Sequence, residues 1–144
     1  MAGISTSDKL DLAVFISGSG SNLQALIDAC RDPDFPARIA VVFSNKEDAY
    51  GLTRAKSAGI STETLSHKGF SSREEYDAAA VSIIKRYDPD LICLAGFMRI
   101  LTPVFITPFA GRIINTHPSL LPRHGGEGMF GHHVHEAVLA AGDF

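Results

Sequence analysis

The chain has 144 residues, of which 45% are hydrophobic, and a formal net charge of −3. These values are typical of one folded domain and exclude an intrinsically disordered chain. The small acidic excess argues against a general affinity for nucleic acids or anionic membranes. No apolar run reaches the roughly 18 residues that a membrane helix needs, and the opening MAGISTSDKLD lacks the apolar core of a secretory signal. We therefore expect a cytoplasmic protein.

Short apolar runs alternate with helical patterns along the chain. The predicted strands are LAVFISG, RIAVVFSN, ISTETLS, LICLAGF and RIINTH. The predicted helices are SNLQALIDACR, AYGLTRAKSAG, SSREEYDAAAVSIIKRYD and HHVHEAVLAAGD, and PVFITPFAG is a short helical or irregular piece. This alternation predicts an α/β fold, with an open, mostly parallel Rossmann-like sheet and helices on both faces.

Several residues are predicted to begin or end these helices. Ser21 or Asn22 can cap the first helix, and Ser72 can cap the third. Gly59 is expected to end the second helix, and Pro89 is expected to end the third.

Glycines follow the first predicted strand, in SGSGSN. Glycine lets the backbone approach a ligand closely, and the unpaired N–H groups of the following helix can bind an anion. We call residues 18–22 the glycine loop and predict that they bind a phosphate. They do not complete the dinucleotide fingerprint, because Leu23 occupies the position of its third glycine. A tight turn from strand to helix is the simpler alternative.

A second candidate segment, AGFMRIL, follows the predicted strand LICL. Gly96 permits close approach of the backbone, and the apolar residues Met98, Ile100 and Leu101 flank Arg99. This composition favours a flat apolar slot for a ring system, lined largely by backbone. We call residues 97–101 the slot loop. The alternative is the edge of the hydrophobic core with a solvated arginine.

Asn115 and His117 end the last predicted strand and are two residues apart, so their side chains are expected to point the same way. An amide beside an imidazole suits acyl-type transfer, because the amide stabilises an oxyanion and the imidazole moves a proton. Pro118 and Pro122 would fix the path of the chain after the strand. A purely structural role for the histidine is the alternative.

Histidines also cluster farther along, at His132, His133 and His135. No carboxylate or cysteine completes an obvious metal site around them, so we expect no metal.

Four stretches together resemble the phosphoribosylglycinamide formyltransferase family, the folate-dependent enzymes of purine synthesis: FISGSGSNLQALIDAC, VVFSNKEDAYGLTRAKSAGI, LAGFMRIL and INTHPSLLP. The resemblance implies the formyltransferase fold and an enzyme that transfers a formyl group. The donor would be 10-formyltetrahydrofolate, as co-substrate, and the acceptor would be the amino group of glycinamide ribonucleotide. It implies these small molecules as partners, with no nucleic acid and no membrane, and a monomer or homodimer.

The resemblance also implies roles for individual residues. Asn115 would polarise the formyl group, His117 would be the general acid or base, and His135 best matches a further histidine of the family. The residues implied to bind the ribonucleotide are Gly20, Ser21, Asn22 and Pro118. The residues implied to bind the folate are Arg73, Met98, Arg99, Ile100, Leu101 and Asn115.

Family members continue beyond the point that matches Phe144, through a strand with a Gly-x-Thr-Val-His-like motif and a loop whose aspartate pairs with the catalytic histidine. We therefore expect residues 1–144 to form a single N-terminal formyltransferase domain, incomplete at its C-terminus and flexible over residues 1–10. By itself this domain is expected to be poorly active. The segment RHGGEGMFGHHVHEAV is also longer and richer in glycine than the commonest family versions.

Other functions share parts of this pattern. A formyltetrahydrofolate hydrolase or a methionyl-tRNA formyltransferase would use the same Asn-x-His arrangement. The glycine loop favours a small phosphorylated acceptor, and the absence of a basic tail disfavours tRNA. A non-catalytic nucleotide-binding module, which would use the glycine loop alone, is the alternative from another class.

Overall fold

The structure, a computed structural model, describes residues 9–115. Strands and helices alternate through this range, as the sequence predicts. The strands are β1 (Leu10–Ile16), β2 (Ala37–Ser44), β3 (Thr62–Thr64), β4 (Leu91–Leu94) and β5 (Ile113–Asn115). The helices are α1 (Ser21–Cys30), α2 (Tyr50–Ser57), α3 (Arg73–Lys85) and α4 (Pro103–Ile106), followed by a 3₁₀ turn (Thr107–Phe109).

The five strands form one sheet in the order β3-β2-β1-β4-β5. Every neighbouring pair in this sheet is parallel. Parallel strands need crossover connections, and the helices between them supply these and cover the faces of the sheet. The predicted α/β fold with an open parallel sheet is therefore confirmed.

The central strand β1 divides the hydrophobic core into two layers. Successive side chains of a strand point to opposite faces, so Leu12, Val14 and Ile16 face one layer while Ala13 and Phe15 face the other. Helices α1 and α2 cover the first face, with Leu23, Leu26, Ile27, Leu52 and Ala55. Helices α3 and α4 cover the second, with Tyr76, Ala80, Ile84 and Phe105. The predicted placement of helices on both faces is confirmed.

Helix boundaries follow some of the sequence signals and not others. Ser72 caps α3 by accepting a hydrogen bond from the backbone N–H of Glu75, as predicted. Gly59 follows the end of α2 with a φ of 76°, also as predicted. The prediction that Ser21 or Asn22 caps α1 is wrong, because both lie inside the helix and Gly20 is its N-cap.

The end of α3 also differs from the prediction. The helix ends at Lys85, before the turn that precedes Pro89. Here the N–H groups of Arg86 and Tyr87 donate to the carbonyls of Ile83 and Ile84, a tighter pattern than that of an α-helix. The predicted helix HHVHEAVLAAGD lies outside the described residues.

Candidate active site

The carboxyl ends of all the strands lie at the same edge of the parallel sheet, where open α/β sheets bind their ligands. At this edge β1 leads into the glycine loop and β4 leads into the slot loop. Asn115, the last residue of β5, lies in register with Leu94, the last residue of β4. The structure thus places both loops and Asn115 at one edge of the sheet.

The glycine loop presents the beginning of α1 with free backbone donors. The first backbone bond of this helix runs from the N–H of Gln24 to the carbonyl of Gly20. Within the described residues, the N–H groups of Ser21, Asn22 and Leu23 have no acceptor. The N-cap residue, Gly20, has no side chain that could accept a hydrogen bond from them. Free N–H groups and the helix dipole make such a terminus attractive to an anion.

Close packing against α2 explains why the loop contains a glycine at position 20. Gly20 has a φ of 79°, and a Cβ atom on it would lie 2.6 Å from the Cα of Gly51. The N–H of Gly51 in turn donates to the carbonyl of Gly18 at 3.0 Å. Gly18 does not have a positive φ, and no atom of residues 9–115 lies within contact distance of a Cβ atom placed on it. The loop is thus fixed against the start of α2 by its backbone.

Arg54, on α2, also holds the glycine loop. Its Nε donates to the carbonyl of Ser19 at 2.8 Å, and its Nη1 donates to Oε1 of Gln24 at 3.2 Å. Its guanidinium group lies 5.0 Å from the centre of the Tyr50 ring. One arginine therefore ties together the loop, the first turn of α1 and helix α2.

The slot loop exposes apolar side chains at the same edge. Met98 is 79% exposed and Ile100 is 48% exposed, whereas Leu101 is buried in the core layer under α3 and α4. Exposed apolar side chains next to polar loops are typical of a surface that receives a ligand. Leu101 anchors this loop from below.

Arg99 turns away from these apolar side chains towards α3. Its guanidinium carbon lies 4.0 Å from the centre of the Tyr76 ring, and its Nε is buried with no hydrogen-bond partner within the described residues. Arg99 and Arg73 line one cavity of about 180 Å³, together with His67, Phe70, Ser71, Ser72 and Tyr76. Two guanidinium groups on one cavity suit a carboxylate or phosphate ligand.

The aromatic ring of Tyr76 packs against the guanidinium group of Arg99. Its hydroxyl donates to the carbonyl of Leu65, and burial raises the pKa of Tyr76 to about 12 although the nearby Arg99 lowers it. The phenol therefore stays protonated at neutral pH and acts as a fixed, uncharged surface for the arginine.

Asp77 fixes the end of the slot loop. Its side chain is fully buried, and its Oδ2 accepts hydrogen bonds from the backbone N–H of Thr102 at 2.7 Å and from the Thr102 hydroxyl at 2.6 Å. Thr102 follows the slot loop directly and is the N-cap of α4. The carboxylate thereby holds the loop at the point where it joins the helix.

Several predicted site residues lie outside the described residues: Pro118, His117, His135, His132 and His133. Within residues 9–115, no group of three His, Cys, Asp or Glu side chains could hold a metal ion. In the same range, no helix has the length and apolar character needed to cross a membrane.

Sequence reasoning missed the residues that hold the two loops in place, namely Ser17, Asn45, Arg54, Tyr76 and Asp77. Ser17 stands at the start of SGSGSN, but only the glycines and the helix start carried a recognisable signal there. The partners of these residues are far away in sequence, 25 residues for Asp77 and Thr102 and 30 residues for Arg54 and Gln24. No local pattern reports such a pairing.

Comparison with known proteins assigns the chain to a family. The family model described as formyl transferase matches residues 10–144. The phosphoribosylglycinamide formyltransferase of Escherichia coli (strain K12) is 50% identical over 134 residues, which cover 93% of this chain and 61% of the relative. The trifunctional purine biosynthetic protein adenosine-3 of Bos taurus is 46% identical over 93% of this chain and 13% of its own length.

Solved structures agree with this assignment. The crystal structure of phosphoribosylglycinamide formyltransferase from Brucella melitensis superimposes with a TM-score of 0.73 at 46% identity, covering 93% of this chain and 67% of that one. The chain thus spans about three fifths of the E. coli relative, 61% of its length. The two loops and Asn115 lie within the matched region, and the chain belongs to the formyl transferase family.

Proposed function

We propose that the protein carrying this sequence transfers a formyl group from 10-formyltetrahydrofolate to the amino group of glycinamide ribonucleotide, a step of purine biosynthesis. The observation that carries the proposal is one sheet edge that joins an anion-binding helix start, an exposed apolar loop and Asn115. The names of the relatives support the same reaction, since both the bacterial and the bovine protein belong to purine or glycinamide metabolism.

The phosphate of the ribonucleotide would bind at the glycine loop. The free N–H groups of Ser21 and Asn22 point out of the first turn of α1, and Gly20 lets the backbone come close to the anion. Ser21 is exposed and Asn22 is half-buried, so both are within reach of a ligand. Pro118 would shape the wall between this ligand and the folate.

The folate would bind along the slot loop. Met98 and Ile100 offer apolar contact to the pterin ring, and the backbone of the loop, with Leu101 beneath it, offers polar groups to the edges of the ring. Folates also carry glutamyl carboxylates, and the cavity lined by Arg73 and Arg99 suits these groups. The buried Nε of Arg99, which has no partner within the described residues, supports a ligand at this place.

Asn115 and His117 would carry the chemistry. The amine of glycinamide ribonucleotide attacks the formyl carbon, and the amide of Asn115 donates a hydrogen bond to the oxygen as negative charge develops there. His117 takes the proton that the amine loses and returns a proton to N10 of the folate as its bond to the formyl carbon breaks. The products are formylglycinamide ribonucleotide and tetrahydrofolate, so atoms and charge balance. His135 is a further candidate for the proton transfer.

Formyl transfer by the protein that carries this sequence tests the proposal directly. Wild type should form formylglycinamide ribonucleotide and tetrahydrofolate in equal amounts, whereas Asn115→Ala and His117→Ala should each lower kcat at least ~100-fold, the lower end of a general acid–base contribution. The thermal unfolding of each variant should match wild type. Release of formate without any need for the ribonucleotide would instead indicate a hydrolase, and binding of the ribonucleotide without folate would indicate a nucleotide-binding module.

The arginine cavity has its own test, in which folic acid is compared with pteroic acid, which lacks the glutamyl carboxylates. The variants Arg73→Met and Arg99→Met should each lower the affinity for folic acid roughly tenfold and change the affinity for pteroic acid little. A charge-assisted hydrogen bond is lost only with folic acid, which carries the glutamyl carboxylates. Lys68→Met, which removes an exposed cation that does not line the cavity, is the matched control. An equal loss of affinity for folic acid and pteroic acid would show that these arginines do not bind the glutamyl carboxylates.

A further inference from the structure

One buried hydroxyl, that of Ser17, connects the ends of three strands at the ligand edge of the sheet. Ser17 follows β1 directly and is 4% exposed. Its Oγ donates a hydrogen bond to Oδ1 of Asn45, just after β2, at 2.6 Å. The same Oγ accepts a hydrogen bond from the backbone N–H of Met98, just after β4, at 2.8 Å. Asn45 is buried as well, with 8% of its surface exposed.

The slot loop has side-chain contacts at Phe97, Arg99 and Leu101. Its backbone makes few hydrogen bonds within the described residues, so the backbone depends on this bond. On its N-terminal side, the N–H of Ala95 donates to the carbonyl of Phe15 as the last sheet contact. On its C-terminal side, Thr102 is held by Asp77. Between these two points, Met98 alone has a backbone N–H that donates to an acceptor within the described part of the chain. The Ser17 hydroxyl thus holds the backbone in the middle of this loop, beside the exposed side chains of Met98 and Ile100.

The glycine loop does not depend on this hydroxyl in the same way, although Ser17 immediately precedes it. Gly51 holds Gly18 through a backbone hydrogen bond, and Arg54 holds Ser19. Gly20 packs directly on Gly51. These contacts come from α2 and leave the Ser17 hydroxyl uninvolved.

We propose that Ser17 is a positioning residue for the folate: its hydroxyl, oriented by Asn45, fixes the backbone of the slot loop at Met98 in the conformation that receives the pterin. This inference rests on the proposed function, because it names the folate as the ligand of the loop. Removing the hydroxyl leaves the N–H of Met98 and Oδ1 of Asn45 without their partner, and the loop gains conformational freedom that binding must then remove.

The test compares Ser17→Ala with Ser44→Ala in the protein that carries this sequence. Ser44 is also a buried serine, at the end of the neighbouring strand, but within the described residues its hydroxyl bonds only to the backbone of Lys46. The dissociation constants of 5-formyltetrahydrofolate, a stable folate, and of glycinamide ribonucleotide are measured by calorimetry. Ser17→Ala should raise the dissociation constant of the folate roughly tenfold and that of the ribonucleotide less than about twofold, whereas Ser44→Ala should change neither constant.

Hydrogen exchange of the Met98 amide gives a second measurement that needs no ligand. Its exchange should be faster in Ser17→Ala and unchanged in Ser44→Ala. If Ser17→Ala does not fold, Asn45→Ala removes only the acceptor that orients the hydroxyl, and it should weaken the folate by a smaller factor in the same direction.

Two results would overturn the inference while leaving the proposed function intact. One is a Ser17→Ala protein that binds 5-formyltetrahydrofolate as wild type does, and the other is an equal loss of both ligands. Failure of wild type to bind any folate would overturn the proposed function instead. In that case, unchanged exchange of the Met98 amide would also remove the role of Ser17 in holding the loop.

Discussion

The glycine loop and the slot loop lie at the same edge of the sheet but are held by different kinds of contact. The glycine loop is fixed mainly by backbone, where Gly20 packs on Gly51 and Gly51 bonds to Gly18, with one added side-chain hydrogen bond from Arg54. The backbone of the slot loop is fixed by hydrogen bonds to distant side chains, those of Ser17 and Asp77, while Leu101 packs in the core. A steric fit tolerates almost no change, whereas a loop held by hydrogen bonds should loosen by degrees.

The difference also suits the two proposed ligands. A phosphate needs several N–H groups aimed at one point, which a rigid backbone provides. A pterin ring needs a flat surface of suitable width, which a loop with adjustable side chains provides. Changes at one loop are therefore expected to affect one ligand and spare the other.

The largest effect is expected from Gly20→Ala. A Cβ atom there meets the backbone of Gly51, and the left-handed φ of this position is unfavourable for alanine. The free energy of unfolding should therefore fall by about 3 kcal/mol. The affinity for glycinamide ribonucleotide should fall at least ~10-fold in whatever protein folds, since the loop moves. Urea unfolding and calorimetry measure both quantities.

Gly18→Ala is the matched control for this change. It adds the same methyl group in the same loop, but where no described residue is in contact and without a positive φ. Its stability should stay close to that of wild type. Equal destabilisation by the two alanines would mean that contact with Gly51 does not set the geometry of the loop.

A smaller effect is expected from Arg54→Met. Loss of the hydrogen bonds to Ser19 and Gln24 should lower the affinity for the ribonucleotide roughly fivefold and leave the affinity for 5-formyltetrahydrofolate unchanged. Lys56→Met removes one positive charge from the same helix without removing a hydrogen bond within the described residues. If Lys56→Met weakens the ribonucleotide as much as Arg54→Met does, the arginine acts by its charge alone.

Asp77→Asn should have a smaller effect still, and on the other ligand. Asparagine keeps one oxygen for Thr102 but places a buried N–H₂ group where no acceptor is available within the described residues. The folate should bind about threefold more weakly and the stability should fall by about 1 kcal/mol. Asp28→Asn, an exposed carboxylate on α1, serves as control. Weaker binding of the ribonucleotide with unchanged binding of the folate would contradict the assignment of Asp77 to the slot loop and its ligand.

The smallest effect concerns Glu75, whose carboxylate binds Ser71, one of the residues that line the cavity of Arg73 and Arg99. Its Oε1 accepts hydrogen bonds from the hydroxyl and the backbone N–H of Ser71, and these bonds lower the pKa of Glu75. A carboxylate with a lowered pKa stabilises the fold above its ordinary pKa and loses that contribution as the pH falls through the lowered value.

Glu75→Gln should therefore lower the melting temperature slightly at about pH 7. The difference from wild type should shrink as the pH falls through the lowered pKa of Glu75, because wild type then loses the same contribution. Glu74→Gln is the control, since Glu74 lies in the same first turn of α3 and makes no hydrogen bond or ion pair within the described residues. A difference in melting temperature that is independent of pH would show that the ionised hydrogen bonds contribute nothing.

The sequence by itself determined the order of strands and helices, because hydrophobic periodicity is a local property. It also indicated which loops are candidates for the site, since SGSGSN and AGFMRIL follow short apolar runs that predict buried strands. The helix cap at Ser72 was equally readable from a hydroxyl three residues before a glutamate.

Only the tertiary structure decided what holds these loops. The cap of α1 is Gly20 and neither of the polar residues after it, at a position that has a left-handed backbone and no room for a Cβ atom beside Gly51. Ser17 meets Met98 across 81 residues of sequence, and Asp77 meets Thr102 across 25. Such pairs form because the parallel sheet brings strand ends together, and the energy of each contact depends on a neighbour that no local pattern specifies.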